Sequence, residues 1–128
     1  MKLNQVHHCQ VCGNLVELTH VGGGDLVCCG KSMTLLTAKT TEEGKEKHLP
    51  IVEASSAGIT VTVSSTLHPM DDKHYIVWIE ALTTDGKVYR HHLKPTHPPH
   101  TRFSLSAANI QAVRSYCNLH GLWANQVQ

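Results

Sequence analysis

The feature that most constrains this chain is the spacing of its first four cysteines: Cys9-Gln10-Val11-Cys12, fifteen intervening residues, then the adjacent pair Cys28-Cys29. A two-residue gap lets one tight turn aim both thiolates at a single ion, and a second pair at this distance completes a four-sulfur site. Neighbouring side chains of an extended strand point to opposite faces, so the backbone must bend at Cys28-Cys29 and a distorted tetrahedron is expected. The bland alternative makes these residues small buried thiols, but two cysteine pairs in one short segment favour a metal. Val11, Leu15, Val16, Leu18, Val21, Leu26 and Val27 are too few to fold residues 1–37 unaided, and a metal clip supplies what is missing. A sulfur-only tetrahedron suits structural zinc or redox iron, and spacing alone does not choose between them.

Thr37 to Lys47 is polar and charged, as an exposed connection would be, which divides the chain into residues 1–37 and 38–128. Beyond it the pattern is that of strands. Ile59, Val61 and Val63 alternate with Thr60, Thr62 and Ser64, and Tyr75 to Leu82 is apolar on both sides, like a strand in the middle of a sandwich. Asp85-Gly86 predicts a two-residue hairpin turn into Val88 to Leu93. Pro95, Pro98 and Pro99 enforce a loop before Phe103 and Leu105 resume the alternation. Ser106 to Tyr116 reads two ways, as a helix capped by Ser106 or as a strand over its C-terminal half, and the strand is preferred. Short strands at close spacing predict an all-β chain with a small β-sandwich in its larger part.

Eleven Lys and Arg against ten Asp and Glu leave a formal charge of +1, too little to attract nucleic acid or an anionic membrane. The N-terminal residues carry no apolar core of a signal peptide and no later stretch is long enough to span a bilayer, so a cytoplasmic protein is expected. An odd count of five cysteines in that reducing compartment argues against disulfides.

Eleven histidines are many for 128 residues. Cys117-Asn118-Leu119-His120-Gly121 sets a thiolate and an imidazole three positions apart on one turn, a chelating arrangement. A proline-broken loop carries His68-Pro69-Met70 and then Lys73-His74-Tyr75, and His48 follows Glu46-Lys47. Any one of these histidines alone would be an ordinary surface or core residue; together they suggest a second metal site.

These motifs, in this order, resemble the desulfoferrodoxins, the two-iron superoxide reductases. Cys9, Cys12, Cys28 and Cys29 resemble a desulforedoxin module. Glu46-Lys47-His48, His68-Pro69-Met70, Lys73-His74-Tyr75 and Cys117 to Gly121 resemble the catalytic half. The resemblance covers nearly the whole chain and implies a desulforedoxin-like domain followed by an immunoglobulin-like β-sandwich. It implies two irons per chain, one held by the four N-terminal cysteines and one by His48, His68, His74 and His120 in a plane with Cys117 on the axis. Superoxide as substrate, rubredoxin or another small redox protein as electron donor, and a homodimer joined partly through the N-terminal modules are also implied.

Five ligands are too many for an ordinary zinc tetrahedron, and an axial thiolate pushes electron density toward whatever binds opposite it. Lys47 is expected to attract the anionic substrate and help deliver a proton, and Glu46 to close over the ferric site after turnover. In the alternative reading, both are charges in a solvated linker. A non-enzymatic carrier with two irons is the competing function, and a zinc-stabilised binding module a third. His7, His8, His20, His91, His92, His97 and His100 fall on no family motif and are expected to be solvated.

Overall fold

The computed structural model describes residues 1–41, 48–64 and 68–127. These form two compact units, Met1–Thr37 and Ala38–Gln128. The described residues contain no α-helix, hence none long and apolar enough to cross a membrane.

The first unit has five short strands: β1 (Val6–His8), β2 (Leu15–Glu17), β3 (Val27–Cys28), β4 (Lys31–Ser32) and β5 (Thr34–Leu35). One antiparallel sheet runs β2-β1-β5, while β3 and β4 form a separate hairpin. Its interior is thin, with Val6, His7 and Cys9 the buried residues. His7 departs from the expectation of a solvated histidine. It lies on the central strand opposite Val16 and Leu35, and is 7% exposed. His8 is half-buried, whereas His20, His91, His92, His97 and His100 are exposed.

The second unit is a two-sheet sandwich. Its strands are β6 (Pro50–Ser55), β7 (Gly58–Val63), β8 (Ile76–Thr83), β9 (Val88–His92), β10 (His100–Phe103), β11 (Ile110–Cys117) and β12 (Gly121–Gln126). One sheet is ordered β10-β7-β6 and the other β12-β11-β8-β9, with antiparallel neighbours throughout. Alternation along β7 sends Ile59, Val61 and Val63 inward, where they join Ile76, Ile79, Ala81, Phe103, Ile110, Val113 and Cys117 in one core. This is the immunoglobulin-like sandwich, with β8 in the interior of its sheet.

Two local expectations are refined. Thr83 N–H bonds the Lys87 carbonyl at 2.9 Å, so the β8–β9 loop is the three residues Thr84-Asp85-Gly86, with Gly86 at φ 87°, and not a two-residue turn. The Thr83 hydroxyl bonds Asp85 and receives the Lys87 N–H, which favours the longer loop. The ambiguous segment resolves into a short 3₁₀ turn, Ala107–Asn109, whose flanking Ser106 makes no side-chain cap, followed by β11.

The outer face of the larger sheet carries a row that no periodicity reveals. Register sets Arg114 opposite Glu80 and Glu80 opposite Arg90. The fully buried Glu80 accepts from Arg90 at 2.6 Å and from Arg114 at 2.6 Å. Removing one member of a buried ionic group costs more than the group contributes, because the partners lose their compensation. Glu80→Gln should therefore lower unfolding free energy by about 3 kcal/mol or more. Urea denaturation of the larger unit is the measurement; a change under about 0.5 kcal/mol, as ordinary surface substitutions give, would make the row incidental.

Candidate metal centres

In the first unit the sequence bends where the chemistry requires. Cys29 (φ 54°) and Gly30 (φ 73°) are both left-handed and form the two-residue turn between β3 and β4. This is the primed hairpin geometry, and it swings Cys29 round to the side of Cys28 that an extended strand would deny it. Gly13, at φ 85°, closes the other knuckle, with its N–H on the Cys9 carbonyl at 2.9 Å.

The four sulfurs of Cys9, Cys12, Cys28 and Cys29 lie within 4.8 Å of one another, with Cys12 and Cys28 3.5 Å apart. A tetrahedron with sulfur bonds of ~2.3 Å needs sulfur separations of about 3.8 Å, so the set fits one ion. The Cys12 backbone N–H holds the Cys9 thiol down to about 6, whereas neighbouring sulfurs, Cys12 foremost, push Cys29 up to about 12 and also raise Cys28. Crowded thiols cannot all ionise without a cation among them.

Ligation requires thiolates, so metal uptake at pH 7.5 should expel at least the protons of Cys28 and Cys29, about two or more per ion, and affinity should fall as pH drops. Calorimetry in buffers of different ionisation enthalpy reads that number; release of no protons would contradict it.

The second cluster sits at one end of the sandwich. His48 lies just before β6, His68 after β7, His74 just before β8, Cys117 at the end of β11, and His120 in the turn to β12. Five donor atoms from these residues lie within 4.8 Å of one another. The imidazoles form a ring with centroid separations of 4.7 Å (His48–His68), 4.6 Å (His68–His74), 4.9 Å (His74–His120) and 4.7 Å (His120–His48). The distance across from His48 to His74 is 6.5 Å, close to the diagonal of a square with those sides. Adjacent rings meet edge to face.

His48 Nε2 and His120 Nδ1 are 3.1 Å apart, and Cys117 Sγ is 3.4 Å from His68 Nε2 and 3.8 Å from His120 Nδ1. Metal bonds of ~2.1 Å to nitrogen and ~2.3 Å to sulfur, at right angles, require separations of about 3.0 and 3.1 Å. The donor set thus fits a square of nitrogens with sulfur on its axis once the sulfur–nitrogen separations of 3.4 and 3.8 Å close to about 3.1 Å. The sulfur, His48 and His68 are buried, His74 is half-buried and His120 is exposed.

Local hydrogen bonds orient the ring. His68 Nδ1 lies 2.7 Å from the Pro69 carbonyl, which fixes the proton there and turns the Nε2 lone pair toward the Cys117 sulfur and the centre. The Asp71 carboxylate accepts the N–H groups of Lys73 and His74 at 3.1 and 2.9 Å. Asn118 ties the His74 segment to the cysteine turn, accepting the Tyr75 N–H and donating to the Lys73 carbonyl, both at 2.9 Å. Gly121, at φ 85°, allows three residues to close that turn between paired Cys117 and Gly121. A bulge opposite Tyr116 and Cys117 brings Ile76 across from Cys117, both facing the core.

The four histidines and five cysteines singled out in the sequence fall in these two clusters. Glu46 and Lys47 lie outside the described residues. Sequence reasoning missed the positioning groups Pro69, Asp71 and Asn118, although Asp71 three positions before His74 is an Asx-turn signal.

The family model for the desulfoferrodoxin N-terminal domain matches residues 1–36, and that for desulfoferrodoxin itself matches residues 40–126. The chain belongs to the desulfoferrodoxin family. It is 50% identical over 122 residues to a desulfoferrodoxin of Syntrophotalea carbinolica, covering 95% of each chain. The desulfoferrodoxin of Nitratidesulfovibrio vulgaris is 49% identical over 119 residues, 93% of each. Among solved structures, the superoxide reductase from Treponema pallidum superposes with a TM-score of 0.76 at 25% identity, over 94% of this chain and 95% of that one. In this desulfoferrodoxin, as the family implies, one four-cysteine cluster and one four-histidine, one-cysteine cluster are the candidate iron centres.

Proposed function

We propose that the chain is a superoxide reductase, in which superoxide, one external electron and two protons give hydrogen peroxide at an iron held by His48, His68, His74, His120 and Cys117. The carrying observation is the square of imidazoles closed from the buried side by the Cys117 sulfur. Iron bound there would supply the one-electron reduction. The protein's part is to gather four imidazoles about one point, keep the thiol out of water, and admit a small anion. An electron carrier gains nothing from a cation that attracts a small anion, so Lys47 next to His48 in the sequence favours the enzyme over the two-iron carrier.

In this reading Lys47 draws superoxide in and helps bring it a proton, while Glu46 would serve as a further ligand to bound ferric iron; the run is Glu46-Lys47-His48. Cys9, Cys12, Cys28 and Cys29 hold the other iron, in a domain of residues 1–37 followed in sequence by a catalytic domain of residues 38–128. Rubredoxin or a similar small redox protein supplies the electron. A homodimer is supported by Met1, Leu3, Val11, Val16, Val21, Val27 and Leu35, exposed apolar residues gathered on the first unit. A reducing cytoplasm suits a chain whose five cysteines are all engaged by metal.

Anaerobic metal quantitation with visible spectroscopy tests the core of the proposal: two irons and a ferric band are expected, and two zinc ions with no colour would refute it. Lys47→Ala should slow the encounter with superoxide by roughly tenfold and flatten its salt dependence. Pulse radiolysis across ionic strength measures both; an unchanged rate would remove Lys47 from the scheme.

A further inference from the structure

Trp123 is 1% exposed on β12 and touches the candidate iron centre twice. Its indole stacks on the His48 imidazole with centroids 4.6 Å apart and planes at 12°. Its Nε1–H donates to the His120 carbonyl at 3.1 Å. His48 and His120 are neighbours in the square, with facing nitrogens 3.1 Å apart, so one side chain contacts both ends of one edge. The indole is itself fixed: Lys39 N–H bonds the Leu122 carbonyl and Ala124 N–H bonds the Lys39 carbonyl, each at 2.9 Å, bracketing Trp123, while Lys39 Nζ lies 5.1 Å from the ring centre.

The imidazole of His68 is turned by its hydrogen bond to Pro69, and the backbone of His74 is held by the Asx turn at Asp71. His48 precedes β6, and its carbonyl accepts the Ser115 hydroxyl at 3.4 Å. A flat, buried aromatic surface nearly parallel to the imidazole restricts ring rotation by excluded volume and favourable stacking. The N–H bond to His120 then fixes the height of the turn carrying the adjacent ring.

We propose that Trp123 is a positioning residue that sets the His48–His120 edge of the square, and through it the symmetry and redox potential of the bound iron. The proposal rests on the reading of the ring as an iron centre. Partners that orient metal ligands typically govern affinity by 10–100-fold when removed.

Two substitutions separate its contacts in the full-length, iron-loaded protein. Trp123→Phe keeps an aromatic face and loses the N–H donor; Trp123→Leu loses both. Trp123→Leu should lose iron to a chelator at least about tenfold more readily, with a changed ferric EPR spectrum and a shifted midpoint potential. Trp123→Phe should retain most of the iron, with a smaller spectral change.

Thermal unfolding and circular dichroism report the fold separately. If Trp123→Leu folds and its iron retention, spectrum and potential all match the parent, the indole only fills the core and the proposal is overturned. If Trp123→Leu does not fold, Trp123→Phe decides: an altered EPR spectrum or potential supports the role, and identity with the parent overturns it. Absence of iron from the parent protein would instead refute the underlying reading.

Discussion

Cys117→Ser should reduce the second-order rate of superoxide reduction by more than about 100-fold, beyond the range lost when only a group behind a metal ligand is removed. The substitution changes a single atom of a fully buried residue whose sulfur stands 3.4 Å from His68 Nε2. A serine hydroxyl is a harder and far less basic donor, so whatever binds on the outer side of the ring loses the electron density a thiolate supplies. The buried hydroxyl also adds a cost of about 1–3 kcal/mol if it finds no partner. Cys117→Ala, without that polar burden, controls for it: both variants should be slow, and the alanine variant should keep more of its stability. Pulse radiolysis gives the rate and calorimetry the stability. A serine variant within twofold of the parent rate would exclude the thiolate from the reaction.

Legibility in the sequence followed how local the physical cause was. Most of the ring donors stood out because they lie in short segments close to proline, glycine or another ligand, where loop chemistry and metal chemistry leave marks within a few residues. β7 was plain because one face is dry and the other half-wet. β12 was not, since Leu122, Trp123 and Ala124 are all buried: Trp123 packs on His48, so alternation is lost. β6 loses its pattern as it runs outward from buried Pro50 to exposed Ser55. The Arg114–Glu80–Arg90 row depends wholly on cross-strand register, and nothing in Ile76 to Leu82 announces that its one acid is paired. His7 was misread for a similar reason, because its burial comes from neighbours on β2 and β5.

The thin interior of the first unit leads to a second large effect. With only Val6, His7 and Cys9 buried among its residues, hydrophobic burial cannot offset the entropy of ordering 37 residues, so the free energy of metal binding is the folding free energy of this unit. Cys12→Ser removes one of four donors and leaves the remaining three with no closed tetrahedron. The variant should lose the N-terminal metal and the amide-exchange protection of β1 to β5. The larger unit has its own core of ten buried residues and its own donor ring, so its protection and peroxide formation should persist within about twofold of the parent. Hydrogen exchange resolved by peptide, with metal quantitation on the same sample, reads both halves at once. Loss of both metals would show that the small unit holds the larger one folded, and retention of protection in β1 to β5 would show that the cysteines are not what folds it.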